Sequence, residues 1–445
     1  MPSLQRARIS PKFFQTVPII VETYQDTNME QFTSILSDKL HVPLGKSIPS
    51  MKMVSLRIPN AMIDDLAAIS PIKSVSLDRE HYAFDYMPPP AIPSKLRGGI
   101  LGIDGVIPTS QTLKKINVDV LHKMGYYGSG VRCAVLDTGI DLLNPQIKGR
   151  ATKLSTMKVQ PTGEDENGHG THCETTIFGF AYQDPFTGLI AQGMAPECSM
   201  TSIKVLGMGI GTGMTSDIME AIEIAVRGGN KVISMSLGSE GTDDEEFDPM
   251  VRMINDYAET YPDVIFVVAN GNSGPNPNTT GIPACAEKCI AVGSWGIIDN
   301  QPAYFSSRGP TTQAKRIRPD ICAPGGGRAR SDLRPKENIF SGTSFGSILD
   351  PQGDNIVNGF CAIAGTSMAT PHVAGVISLW KEIFPDLTAD MVKGIFQQMS
   401  GQAKNNVDGY GLIDATWILS AGEAPRNGNK NAATTMTQGR GATFY

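Results

Sequence analysis

VRCAVLDTG, residues 131–139, is a short apolar run that ends on an aspartate, a threonine and a glycine. Apolar residues without polar alternation describe a strand buried on both faces, as in a parallel sheet covered by helices. The pattern returns in MTSIKVLG (200–207), NKVISMSLG (230–238), VIFVVANGN (264–272) and KCIAVGSW (288–295), each closing on glycine or polar residues. Between these runs lie segments of helical periodicity, among them SDIMEAIEIAVRGG (216–229) and PMVRMINDYAETY (249–261). From about Val118 to Leu419 the reading is therefore an α/β domain, a doubly wound, mostly parallel sheet. In such sheets ligands gather at the carboxyl ends of the strands, where the polar residues of these runs fall.

Upstream, residues 17–82 read as a separate, small α+β unit. VPIIVETY is a strand, MEQFTSILSDKL an amphipathic helix, SMKMVSLRI a strand, AMIDDLAAI a second helix and IKSVSLD a last strand. This order predicts a split βαβ sandwich. MPPPAIPSKLRGG (87–99) follows, and its prolines and glycines predict an extended, exposed connection. The expected division is residues 1–86, a linker at 87–108, the α/β domain at 109–422 and a polar, aperiodic, disordered tail at 423–445.

Bulk properties narrow the function classes. Of 445 residues, 40% are hydrophobic and 18% charged, with a net charge of -6, which predicts no nucleic-acid partner and no anionic membrane surface. No apolar run reaches the roughly 18–20 residues that span a bilayer, and MPSLQRARISPKFFQ lacks the apolar core of a secretory signal. A cytoplasmic location is expected, or a secreted one if a leader has been removed. The cysteines number seven and read as reduced, buried thiols. The close pair Cys285 and Cys289 could form a disulfide or hold a metal, but two separate thiols is the simpler reading, and no cluster has familiar zinc spacing.

Three glycine-flanked clusters carry chemistry: AVLDTGID (134–141), DENGHGTHC (165–173) and AGTSMATPHVAG (364–375). An acid, a histidine and a serine supply a hydroxyl nucleophile, a base, and a carboxylate that fixes the base's tautomer. SGTSFG (341–346) repeats the GTS step, but GSILDPQG cannot continue as a helix, so Ser367 and not Ser344 is the candidate nucleophile. His172 and His372 are read as packing or hydrogen-bonding residues.

Together the three clusters and their spacers resemble the signature blocks of the subtilisin-like serine proteases, over roughly Val106 to Ile418. The resemblance implies a serine endopeptidase with Asp137, His169 and Ser367 as catalytic triad and Asn272 as side-chain donor of the oxyanion hole. It places Gly211, Thr212 and Gly213 on one edge of the substrate groove and Ser236, Leu237 and Gly238 on the other, where an extended peptide adds as a strand. Ala269, Asn270, Gly271 and Gly281 would line the pocket for the residue before the cut, and their small size implies a preference for large apolar or aromatic side chains. No cofactor is required for the chemistry.

The sequence also departs from the family. Glu174 and Thr175 stand where a small apolar residue and a glycine are usual, and Cys173 resembles the free thiol of the proteinase K-like branch. Gln146 and Ile107 occupy positions of the usual calcium site without offering carboxylates, so a structural calcium is possible but its usual site is not matched. The stretch 325–361 is longer than in minimal enzymes and is expected to be a loop beside the site. The N-terminal unit resembles the family's propeptide, an inhibitor and folding aid whose tail LDREHYAFDY (77–86) would lie in the groove, with Tyr86 before the cut. The overall likeness is to intracellular alkaline proteases of the subtilisin class, made as an autoprocessed precursor. A narrow processing protease or peptide ligase, and an inactive binding homologue, are the alternatives.

Overall fold

The computed structural model describes residues 16–66, 69–83, 105–185, 187–207, 209, 211–327, 329–330, 334–335, 337–349 and 359–421. The expected tail at 423–445 and most of the 87–108 linker lie outside them, as does Tyr86.

The first unit runs β1 (Thr16–Thr23), α1 (Met29–Leu40), β2 (Leu44–Ile48), β3 (Met53–Pro59), α2 (Ile63–Leu66) and β4 (Ile72–Leu77), followed by β5 (Glu80–Ala83). Strands β2-β3-β1-β4 form one sheet in that order. Helix α1 starts where the Asn28 side chain accepts from Gln31 N at 3.1 Å. It buries Phe32, Leu36 and Leu40 against Val17, Ile19 and Val21 of β1. The intervening Ile20 faces the other way and joins Ile48, Met51 and Met53 in a cluster with the large domain. This sheet is thus apolar on both faces, which a free-standing unit would not tolerate. The sequence reading missed β2, whose LGKSI carries glycine and lysine, and it overextended α2, described as helix only over Ile63–Leu66.

The large domain opens with β6 (Val106–Pro108), α3 (Thr109–Lys115), α4 (Val118–Lys123), β7 (Arg132–Asp137), β8 (Ala151–Ser155) and α5 (His169–Phe178). It continues through β9 (Tyr182–Gln183), β10 (Ile190–Ala191), β11 (Ser199–Lys204), β12 (Thr212–Met214), α6 (Thr215–Arg227), β13 (Val232–Met235), β14 (Leu237–Gly238), α7 (Pro249–Thr260) and β15 (Ile265–Ala269). Next come β16 (Ile290–Gly296), β17 (Gln301–Pro302), β18 (Ile321–Pro324), β19 (Ala329–Arg330), β20 (Arg334–Pro335), β21 (Asn338–Gly342) and β22 (Phe360–Ile363). Helices α8 (Thr366–Ile383), α9 (Ala389–Met399) and α10 (Trp417–Ala421) end the described chain.

The central sheet has the order β17-β16-β15-β13-β7-β11-β8, with β18 also beside β16. Its pairs are parallel except β16 with β17. Alternation along β7 makes two cores: Cys133 and Val135 face the side of α5 and α8, while Ala134 and Leu136 face α6 and α7. The chain passes from β7 to β8 and β11 on one flank, then crosses to β13 and β15 on the other. That reversal opens a crevice at the carboxyl ends of β7 and β13, the expected place for a site in a doubly wound sheet.

One buried ion cluster fixes the far side of the sheet. Asp320, fully buried, accepts from Arg318 Nη1 at 2.9 Å, from Lys404 Nζ and from Ala291 N at 2.8 Å. Burial by itself would raise the Asp320 carboxyl, but the attraction of Arg318, Lys393 and Lys404 outweighs it and holds the group well below the usual range. Its stabilisation is therefore complete above the unfolded pKa of about 4 and is lost as pH falls below that value. In a Ser367→Ala background, to prevent self-digestion, Asp320→Asn is expected to cost about 3–5 kcal/mol in urea unfolding at pH 7. The difference from the parent should shrink in acid.

Candidate active site

Asp137 ends β7 on the face that looks toward α5 and α8, because it continues the 133, 135, 137 alternation. His169 is the first residue of α5, and its Nδ1 lies 2.7 Å from Asp137 Oδ1, both groups buried. The carboxylate oxygen can only accept, so Nδ1 carries the proton and Nε2 is the basic nitrogen. Asp165 holds the two segments together. Its Oδ1 accepts from Thr138 Oγ1 at 2.8 Å and Gly168 N at 2.7 Å, and its Oδ2 from Thr171 N at 2.9 Å and Thr171 Oγ1 at 2.6 Å. Thr138 Oγ1 in turn accepts from Gly170 N at 2.8 Å. Gly168 has φ +103, and a Cβ there would come within 2.4 Å of Thr343 Oγ1 and 2.5 Å of Ser347 Oγ. The glycine before the histidine is thus set by both conformation and space.

Ser367 is the second residue of α8, buried, with its hydroxyl donating to Ser236 O at 3.0 Å. Four residues on, Pro371 sits inside the helix and brings no N–H for the Ser367 carbonyl. The freed carbonyl is taken up by Ser236 Oγ at 2.9 Å and by Cys173 Sγ at 3.5 Å. Cys173 also lies 3.9 Å from His169 Nδ1, so α5 and α8 meet directly at the site. Burial pushes its thiol up to about 11, which keeps it an uncharged packing group. Glu174 beside it is also fully buried, and burial, only partly offset by Ser202, holds its carboxyl well above the usual range, so it packs as a neutral acid.

Asn272 follows β15, and its Oδ1 accepts from both Thr366 N and Thr366 Oγ1 at 2.9 Å, which fixes the plane of the amide beside Ser367. Thr366 Oγ1 accepts from Gly271 N at 3.3 Å. Asn270 turns into the protein, donating from Nδ2 to Ser307 O at 2.6 Å, while its carbonyl accepts from Gly281 N at 3.1 Å. Ala269, Asn270, Gly271 and Gly281 therefore lie side by side.

Between β12 and β14 lies a strand of the chain itself. β5 pairs antiparallel with both, in the registers Thr212↔Tyr82, Gly213↔His81, Leu237↔Ala83 and Gly238↔Tyr82. Ala83 N also donates to Gly211 O at 3.0 Å. The residues Gly211, Thr212, Gly213, Leu237 and Gly238 are thus two edges that receive an extended peptide, with Ser236 next in line beside Ser367.

Other polar candidates are engaged elsewhere. His172 Nε2 lies 2.9 Å from Ile339 O, and His372 bonds Met368 O at 2.7 Å and Thr112 Oγ1 at 2.6 Å. Ser344 lies in the loop after β21 rather than at a helix start. Gln146 Nε2 donates to Phe180 O at 3.1 Å, and Ile107 lies in β6, so neither presents an acidic ligand. All seven cysteines, including Cys285 and Cys289, lie among the described residues as buried thiols outside any disulfide. Among the described residues, the grouping able to ligate a metal is Asp137, His169 and Cys173, the same cluster that holds the histidine. No described helix is long and apolar enough to cross a membrane.

The sequence reading missed three supports: the Ser236 side chain, the Thr366 clamp on Asn272, and the Asp165 hub. Only the first had a visible signal, the proline four residues after Ser367.

Residues 128–411 match the Subtilase family. The chain belongs to that family. This subtilase is a serine endopeptidase acting on peptide or protein substrates, and its relatives agree with that. It is 30% identical over 436 residues to serine protease AprX of Bacillus subtilis, covering 91% of this chain and 89% of that one. It is 33% identical to subtilisin DY of Bacillus licheniformis, over 67% of this chain and 94% of the other. Fervidolysin from Fervidobacterium pennivorans, a solved structure, shares the fold with a TM-score of 0.69 at 20% identity, over 93% of this subtilase and 62% of that chain.

The Ser236 contact is open to test. Ser236→Ala leaves the Ser367 carbonyl with a thiol alone, an expected loss of about 1–2 kcal/mol in stability. Because the loss sits at the first turn of α8, turnover is expected to fall more than substrate affinity, measured as kcat and KM on a fluorogenic peptide.

Proposed function

We propose that this subtilase is made as a self-inhibited precursor that cuts itself, and that Asp137, His169 and Ser367 are its catalytic triad. The observation that carries the proposal is β5, the chain's own segment seated as a strand between β12 and β14. In the first step His169 Nε2 takes the Ser367 proton as Oγ attacks the carbonyl carbon, and Asp137 steadies the resulting imidazolium. The oxyanion forms at the start of α8, where the Ser367 amide and the Asn272 side chain can donate to it. The histidine proton then passes to the leaving amine, and water repeats the sequence on the acyl-enzyme.

Residues 1–86 would act as the inhibitory propeptide and 109–422 as the peptidase, with the cut within the intervening linker region or just before it. The docking contacts support this. Asp78 accepts from Ser216 N at 2.9 Å and Ser216 Oγ at 2.7 Å at the start of α6. Glu22 pairs with Arg252 at 2.8 Å, Tyr257 donates to Ser50 at 2.9 Å, and Lys46 pairs with Asp217 and Glu220. The large shared apolar cluster beneath these contacts gives the small unit a second core beside its own, through Ile20, Ile48, Met51 and Met53.

The register moves the expected cut. Ala83 stands opposite Leu237, and if the same register continued by one residue, Phe84, which lies outside the described residues, would come level with Ser236, whose carbonyl meets the Ser367 hydroxyl. The bond Phe84–Asp85 is therefore favoured over one after Tyr86, and an aromatic residue would enter the pocket walled by Ala269, Asn270, Gly271 and Gly281.

N-terminal sequencing of the purified wild-type chain beside Ser367→Ala tests the scheme. The wild type is expected to begin at Asp85 and the variant to keep residue 1 or 2. Identical trimming of both forms would assign the cut to another protease, and full activity with the first unit still attached would make that unit a permanent domain. Asn272→Ala is expected to lower kcat by about 10²–10³ with little change in KM, a magnitude known for such a donor in subtilisin. A raised KM at unchanged kcat would remove Asn272 from the oxyanion hole.

A further inference from the structure

Side chains of β5 alternate between solvent and protein. Tyr82 is 39% exposed, whereas His81 is fully buried and Ala83 packs on the apolar cluster beneath. A groove that binds a strand reads every second side chain, so positions 81 and 83 are where the protein tests what it holds.

His81 enters a built polar pocket. Its Nε2 lies 2.8 Å from Thr215 Oγ1, and Thr215, the first residue of α6, is itself fully buried. Thr215 Oγ1 also lies 3.4 Å from Arg79 O, a weak acceptor contact, and Thr215 N donates to the same carbonyl at 2.9 Å. These contacts choose the tautomer. If Nε2 carries the proton, it donates to Thr215 Oγ1 while the threonine proton turns to Arg79 O, and Nδ1 remains a bare acceptor. The opposite tautomer would bury an Nδ1–H with no hydrogen-bond partner. Burial, with a smaller push from Arg79, drives the ring down to about 3, so the occupant is a neutral imidazole. Gly213 opposite His81 keeps the strand edge flat: a Cβ there would meet Val205 O at 2.0 Å.

We infer that Thr215 is a specificity-determining residue, selecting substrates that place histidine fourth back from the scissile bond over those with aliphatic, phenyl or cationic side chains there. The inference rests on the reading that β5 occupies the substrate groove with Phe84 before the cut. An aliphatic or phenyl group fills the space but offers the buried hydroxyl no donor, and a lysine brings a charge into a dry pocket. The Thr215 hydroxyl and the substrate's own backbone, at the place of the Arg79 carbonyl, thus form one relay that a ring N–H completes.

The test uses internally quenched peptides with the sequence of residues 79–88, the histidine kept or replaced by phenylalanine, leucine or lysine. They are given to the full-length chain after it has reached full activity, with active sites counted by a fluorophosphonate and cut positions read by mass spectrometry. The histidine peptide is expected to exceed the phenylalanine and leucine peptides about tenfold in kcat/KM, the effect of one buried hydrogen bond, and the lysine peptide by more. Thr215→Val, which keeps the shape and removes the hydroxyl, should bring the ratio of histidine to phenylalanine below about threefold, and Thr215→Ser should preserve it. Cleavage after the phenylalanine of residue 84 with histidine and phenylalanine peptides within about twofold of each other overturns the inference while the groove reading stands. So does a ratio that Thr215→Val leaves unchanged. Cleavage only at other bonds removes the groove register and the inference with it.

Discussion

The carbonyl of Ser367 lacks the usual donor within its own helix, because Pro371 arrives four residues later without an N–H. An unmade bond to a buried carbonyl costs more than a made one gains, so the protein must supply donors from elsewhere. Ser236 and Cys173 do so, and they come from the end of the central sheet and from the helix that carries His169. One backbone defect thus ties three elements together at a single point. Helix α8, helix α5 and the stretch between β13 and β14 cannot move apart without orphaning that oxygen.

The histidine side of the site is held in a comparable way. Asp165 gathers donors from the turn after β7 and from the first turn of α5, so the strand bearing Asp137 and the helix bearing His169 share one carboxylate. It is fully buried, and burial pushes its carboxyl up, although four hydrogen-bond groups work against that. The cost of such burial is met locally by hydrogen bonds rather than by a counter-ion. The resulting frame is rigid where chemistry requires distances, and the segments that receive a peptide are single strand edges, which can exchange occupants.

In this structure the N-terminal unit supplies the strand on those edges. Its sheet has apolar residues on both faces, one covered by α1 and the other by α6 and α7. Its last strand, β5, lies in register between β12 and β14, so their backbone edges are paired with part of the chain. Polar contacts at the helix starts, Asp78 on Ser216 and His81 on Thr215, fix the register where apolar packing alone would allow a slip.

Much of this was legible from the sequence. Runs such as VRCAVLDTG and VIFVVANGN determine buried parallel strands because nothing in them could face water, and the glycine-flanked Asp137, His169 and Ser367 mark chemistry because structure alone rarely asks for all three. Short or mixed elements were not legible: LGKSI pairs as β2 only because a neighbouring strand lends it a ladder, and AMIDDLAAI is described as helix over one turn. Tertiary structure alone decided that Ser236 serves the Ser367 carbonyl, that Thr366 orients Asn272, and that Ala83 of the tail pairs with Leu237. Each depends on groups far apart in the chain meeting within hydrogen-bond distance. A local pattern carries no record of such meetings, since register and side-chain direction are fixed only when the surrounding core closes.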